Sequence, residues 1–109
     1  MRSHSERVVV LGASDKQERY AYKAFKMLLE NGHTVLPVST RLTEIEGTVV
    51  YPSIKEVPAP IDTVTLYVSA DVSTKLINDI VTLQPKRVIF NPGAENQKLA
   101  EALGRDGIE

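Results

Sequence analysis

The sequence predicts an α/β fold built on a doubly wound parallel sheet. Three observations carry that expectation. Short β-branched runs alternate with segments of helical period, the pattern of βαβ units. The first run, Val8-Val9-Val10-Leu11, has no polar alternation, as befits a strand covered on both faces. The chain has 109 residues, enough for one core and too few for two.

The elements follow in order. Met1 to Glu6 is polar, so residues 1–6 are expected to form a flexible N-terminus and residues 7–109 the domain. Arg7 to Leu11 is the first strand and ends at Gly12. From Arg19 to Asn31 the apolar residues Ala21, Ala24, Phe25, Leu28 and Leu29 share one helix face, and Gly32 follows as the C-cap. Thr34 to Val38 is the second strand, with Pro37 tolerable only near its end. Ser39 to Pro60 has no helical period and holds one short strand, Thr48 to Tyr51, and a single helical turn around Ser53 to Val57. Thr63 to Val68 alternates threonine or tyrosine with Val64, Leu66 and Val68, which predicts a strand with one face less buried. Ser69 or Asp71 caps a helix whose apolar face is Val72, Leu76, Ile77, Ile80 and Val81, and Pro85 ends it. Arg87 to Phe90 is a further strand. Asn91-Pro92-Gly93 turns into a last helix carrying Leu99, Ala100 and Leu103. Counting strands along the chain, the expected order is 3-2-1-4-5 in a single domain, with right-handed crossovers placing helices on both faces.

Composition narrows the function. The 42% hydrophobic and 25% charged residues describe a globular chain, and no apolar run approaches the ~20 residues that span a bilayer. No basic and then apolar leader opens the chain, so a cytoplasmic domain is expected. With no cysteine there is no thiolate nucleophile, thiolate metal site or disulfide. A net charge of −1 gives no broad basic face for nucleic acid. His4 falls in the terminus and His33 in a turn, and neither has metal-ligand neighbours in sequence.

In such a sheet, ligands bind at the carboxyl ends of the strands. The loops there are Gly12 to Glu18, Ser39 to Gly47, Ser69 to Asp71, and Asn91 to Asn96. The first joins a strand to a helix, so free backbone N–H groups and the helix dipole favour a phosphate. Gly12 would let backbone approach a ligand, with Ala13 beside it; Ser14 adds a hydroxyl, and Lys16 and Arg19 add charge. It is neither G-x-G-x-x-G nor a P-loop, and a tight turn with solvated charges explains it equally well. After the second strand stand Ser39, Thr40 and Arg41, where an NAD-binding domain places an acid; an arginine there favours a phosphorylated ribose, and the alternative is an exposed loop residue. In the last loop Pro92 stiffens the turn and Gly93 permits positive φ, for a ligand or simply for capping. Ser14 lacks a His–Asp pair to activate it, and Glu44, Glu46 and Glu95 read as solvated or capping groups rather than bases. Tyr20 and Tyr22 can stack on a base or pack in the core, and packing is the expectation.

Taken in series, Gly12-Ala13-Ser14, Arg19 and Tyr22, Pro37-Val38-Ser39-Thr40-Arg41, Glu44-Ile45, Gly47, Tyr51-Pro52-Ser53-Ile54, Pro60, Asp62 and Pro92-Gly93 resemble the small stand-alone CoA-binding proteins. Those are similar to the N-terminal domain of the succinyl-CoA synthetase alpha subunit. The resemblance runs from about Val8 to Ile108. It implies a Rossmann-like domain that binds coenzyme A or an acyl-CoA, with the Gly12 loop on the pyrophosphate and Arg41 near the ribose phosphate. Thr40 stands for the family's proline, Arg41 for its lysine, Ser39 for an asparagine and Ala21 for a frequent serine. The phosphate contact thus keeps its charge but changes shape. The family pattern continues past Gly107-Ile108 into one more strand, so a final strand is expected to be missing from this chain. The synthetase's phosphorylated histidine belongs to a second domain, so no ligase reaction is implied. The competing readings are an NADP-binding oxidoreductase-type domain and a fold-only regulatory or interaction module.

Overall fold

The computed structural model describes residues 5–105, 107 and 108. Its sheet is built from β1 (Arg7–Leu11), β2 (Thr34–Val38), β5 (Thr63–Leu66) and β6 (Arg87–Phe90), all parallel, in the order β2-β1-β5-β6. Register sets Val9 beside Leu36 and Val64, and Val64 beside Val88. Because side chains alternate along a strand, that row faces one side and the Val10–Thr65 row the other.

Each side has its own apolar cluster. Val9, Leu11, Val64, Leu66 and Val88 pack with Ile80 of α3 (Ile77–Leu83) and with Leu99 and Leu103 of α4 (Gln97–Arg105). On the opposite side Val10 and Val35 pack with Ala21 and Phe25 of α1 (Tyr20–Glu30). The doubly wound, Rossmann-like arrangement is therefore the one expected. Phe25, Val9, Val10 and Val64 lose all contact with water, so each contributes about 1.5–3 kcal/mol of burial. Leu29, counted on the apolar face by its spacing, stays exposed at the far side of α1.

Four local expectations change. The third sheet position is held by Tyr51 alone, through a single parallel bridge to Val38. The strand expected over Thr48 to Tyr51 instead folds as an antiparallel hairpin, β3 (Glu44–Ile45) with β4 (Thr48–Val49). Glu46 and Gly47 both have positive φ at its turn. A glutamate in that conformation gives no turn signal in sequence, whereas Asn-Gly would. The helix expected after Ser69 is two helices, α2 (Ala70–Lys75) and α3, which part at Leu76. The Asn96 amide reaches across from the start of α4 to Ala70 O, Ser73 Oγ and Thr74 Oγ1, and so orients α2 independently of α3. β5 is buried on both faces rather than one, because Thr63 and Thr65 are satisfied by side-chain hydrogen bonds. Residues 1–4 of the expected flexible terminus lie outside the described residues. Glu6 is anchored: its N–H donates to His33 Nδ1 and its carbonyl accepts from Thr34 N.

Candidate functional site

The loops after β1, β5 and β6 and the start of α1 enclose a cleft of about 260 Å³ at the carboxyl edge of the sheet. Gly12, Ser14, Arg19, Ser69, Pro92 and Gly93 line it. The N-terminus of α1 opens there. Arg19 occupies the N-cap with extended backbone, makes no side-chain cap hydrogen bond, and no acid stands in the first turn. The first-turn N–H groups of a helix have no partner within it, so this end presents donors and a partial positive charge.

Gly12 has a more structural role than its sequence position implies. Its φ is +90°, and a Cβ there would stand 2.8 Å from Val68 Cγ1 and 3.0 Å from Tyr67 O. The close approach is to the protein's own backbone. The N–H groups of Gly12 and Ala13 both donate to Val38 O, so they are not the free amides the loop was expected to offer. The available polar groups lie further on, at Ser14, Arg19 and the first turn of α1.

A second cleft of about 360 Å³ follows at the end of β2. Ser39, Thr40 and Arg41 form its polar side, and Ile54, Val72 and Leu76 are among its apolar walls. Ser39 Oγ accepts from the N–H of Arg41 at 3.1 Å and of Leu42 at 3.3 Å, which fixes the turn that carries the arginine. Gly12 and Val68 border both clefts, so the two adjoin. Among the described residues neither Arg19 nor Arg41 takes part in an ion pair. On the other rim, Asn91 Nδ2 donates to Thr65 Oγ1 and Leu66 O, and Gly93 N donates to Glu95 Oε1, which together shape the Pro92–Gly93 turn. Ser69 sits at the N-cap of α2 without a side-chain cap bond.

Further along α1, Tyr22 Oη donates to Glu46 Oε2 and Lys26 Nζ pairs with Glu46 Oε1 at 2.8 Å. The Lys26 ammonium, and then the Tyr22 hydroxyl, lower the Glu46 pKa, and the carboxylate in turn raises that of the tyrosine. This contact ties the β3–β4 hairpin to α1. Among the described residues no group of three His, Cys, Asp or Glu is arranged to hold a metal.

The model of the CoA binding domain family matches residues 6–109. The chain belongs to this family. A 56-residue stretch is 39% identical to the alpha subunit of an ADP-forming acetate–CoA ligase of Pyrococcus furiosus, covering 50% of this chain and 12% of that one. A 63-residue stretch is 32% identical to the uncharacterised protein YneT of Bacillus subtilis, covering 58% and 47%. The chain thus spans less than half the length of the curated relatives it matches. Among solved structures, a conserved hypothetical protein of Pyrococcus furiosus superposes with a TM-score of 0.86 at 32% identity, over 95% of this chain and 90% of that one. An uncharacterised protein superposes at 0.91 with 39% identity, over 98% and 88%.

Within this CoA-binding-family domain, two clefts gather all the residues expected from sequence except Lys16. Lys16 N donates to Ser14 Oγ at 3.1 Å, and its side chain lines neither cleft. Tyr20 was expected to pack in the core and instead stands exposed on the cleft rim, while Tyr22 packs toward Phe25. Sequence reasoning missed Tyr67 and Val68. They end an alternating strand, so they read as strand residues; only the pairing of β5 against β1 brings them to Gly12.

Proposed function

We propose that the domain binds coenzyme A or an acyl-CoA along the carboxyl edge of its sheet and carries out no reaction by itself. The observation that supports this most is the pair of adjoining clefts, with the uncapped α1 N-terminus and Arg19 in one and Arg41 in the other, both bordered by Gly12. Coenzyme A has a diphosphate and a separate ribose phosphate, and the donors fit both. Ser14, Arg19 and the first turn of α1 would hold the diphosphate. Arg41 would take the ribose phosphate in charge-assisted hydrogen bonds, with the adenine against Ile54, Val72 and Leu76. The ligase relative binds CoA by its name, which agrees with this reading.

Absence of intrinsic catalysis rests on the residues around the clefts. Among the described residues Ser14 has no histidine beside it in the cleft, and Glu95 is engaged by Gly93 N. The cytoplasm supplies the ligand on this reading. NADP shares a phosphorylated ribose, and Arg41 does not separate it from CoA. A thermal-shift panel does. CoA and acetyl-CoA at a hundredfold excess over Kd should stabilise the fold by about 2.7 kcal/mol. NAD should leave the melting temperature unchanged. A larger shift with NADP than with CoA, or no shift with any ligand, would overturn the proposal.

A further inference from the structure

One wall of the Arg41 cleft is carried by helix α2, which supplies Val72 and, at its C-cap, Leu76. This helix has six residues, fewer than a helix needs to persist by itself, and Ser69 at its N-cap makes no side-chain cap hydrogen bond. All six are described, and of them Ser73 alone is buried. Val72 is 44% exposed in the cleft. Apolar packing reaches α2 only at its end, where Leu76 is half-buried against the core. The burial that seats α1, α3 and α4 on the sheet is therefore not what orients α2.

A polar tie does so. Asn96 Nδ2 donates to Ser73 Oγ at 2.8 Å, to Thr74 Oγ1 at 2.9 Å and to Ala70 O at 3.2 Å. Asn96 Oδ1 accepts from Leu99 N at 3.2 Å, so the same side chain caps α4. A backbone N–H on one side and a backbone carbonyl on the other permit one orientation of the amide. Asn96 is buried and lines neither cleft. Helix α4 is seated in the core by Leu99 and Leu103. The core thus sets α4, α4 sets Asn96, and Asn96 sets the α2 wall.

A buried amide with its partners satisfied specifies one geometry, and a binding surface is only as exact as the groups that support it. Building on the CoA reading above, we propose that Asn96 is a positioning residue for the nucleotide half of the ligand. It holds Val72 and Leu76 where the adenine lies against them, and touches no ligand atom itself.

Two variants cut the tie from opposite sides. Asn96→Ser keeps a hydroxyl to cap Leu99 N but is too short to reach α2. Ser73→Ala with Thr74→Val removes two acceptors and leaves Asn96 in place. Denaturant unfolding checks that each protein is folded. Calorimetry then compares CoA with its two halves, the adenosine bisphosphate and the phosphopantetheine formed by cutting its diphosphate. Both variants should bind CoA and adenosine bisphosphate about three- to tenfold more weakly, as when an apolar contact is partly lost. Phosphopantetheine lies on the side of Ser69, where α2 leaves the loop after β5 and shifts least, and should bind all three proteins alike. Unaltered binding of adenosine bisphosphate by the folded variants, or equal weakening of both halves, overturns this inference alone. So does an adenosine bisphosphate that fails to bind the unaltered protein while CoA binds. Failure of CoA itself to bind overturns the CoA reading and this inference together.

Discussion

The two edges of the sheet are built to opposite plans. At the amino edge Glu6, Arg7, Asp62, Lys86 and Arg87 are all tied to the protein. Arg7 Nε and Nη2 donate to the carbonyls of Pro60 and Pro58. Arg87 Nη1 donates to Glu6 and to Thr63 Oγ1, and Asp62 takes the Arg7 N–H and the Lys86 ammonium. At the carboxyl edge Arg19 and Arg41 have no acidic partner among the described residues, and the α1 N-terminus has no cap. One edge uses its hydrogen-bonding capacity to close the fold. The other leaves it for a ligand: with no ion pair made by Arg19 or Arg41 among the described residues, that capacity is available to phosphate.

Gly12→Val gives the largest expected effect, and it tests where the comparison has an exception. Gly12 lies at the ligand edge yet serves the fold, since a Cβ meets Val68 and the Tyr67 backbone in a left-handed conformation. The valine should cost about 2–4 kcal/mol of stability, measured by denaturant unfolding. A full-stability Gly12→Val protein that has lost CoA binding would return the glycine to the ligand.

Arg41→Ala should show the reverse. Stability should hold, because the side chain is exposed and unpaired among the described residues. CoA affinity should fall by roughly 1.5–3 kcal/mol, the worth of a hydrogen bond to a charged group. Dephospho-CoA should bind both proteins alike. Equal weakening of the two ligands would show that Arg41 does not read the ribose phosphate.

Arg87→Met breaks the closed edge. Its guanidinium is partly solvated, so the loss should be about 1 kcal/mol of stability, with CoA affinity unaltered. A change in affinity as large as that of Arg41→Ala would mean that the two edges are not separate.

The smallest effect is on pH dependence. The Thr63 hydroxyl, with Arg87, holds Glu6 below the ordinary carboxylate range, and the Arg7 N–H, with Lys86, does the same for Asp62. A depressed carboxylate stabilises the fold at pH values above its unfolded pKa and loses that contribution as pH falls through its folded value. Thermal stability should therefore hold steady from neutrality to about pH 5 and decline below about pH 4. In Arg87→Met the decline should be shallower. An identical acid profile in the two proteins would remove the Arg87–Glu6 pair from the closed edge.

Much of the fold was legible. Val8 to Leu11, Thr34 to Val38 and Arg87 to Phe90 are short β-branched runs with glycine, asparagine or proline after or near them, and α1 has the period of one buried face. The failures share a cause. The β3–β4 hairpin turns at Glu46, whose positive φ is supported by Tyr22 and Lys26 holding its carboxylate from α1. The break at Leu76 accompanies the tie from Asn96 to Ser73 and Thr74, more than twenty residues earlier in the chain. Local pattern carries no record of such distant partners. The site divides in the same way: Ser14, Arg19, Ser39 and Arg41 stand beside recognisable strand ends, whereas Tyr67, Val68 and Ile54 reach the clefts only through strand order and the crossover between them.

The sequence by itself determined the alternation of strands and helices, the apolar faces that must meet, and the positions of the loops at the carboxyl edge. Those properties depend on side-chain period and on the backbone preferences of glycine and proline, which act within a few residues. The tertiary structure decided which polar groups remain available. Gly12 and Ala13 have the same amides in any strand-to-helix turn, but Val38 O takes both of them here. Arg87 and Arg41 carry the same guanidinium, yet one meets Glu6 and Thr63 while the other meets no acid among the described residues. Hydrogen-bond capacity is a property of each residue; whether the fold satisfies it depends on distance in space, which strand order sets and chain position does not.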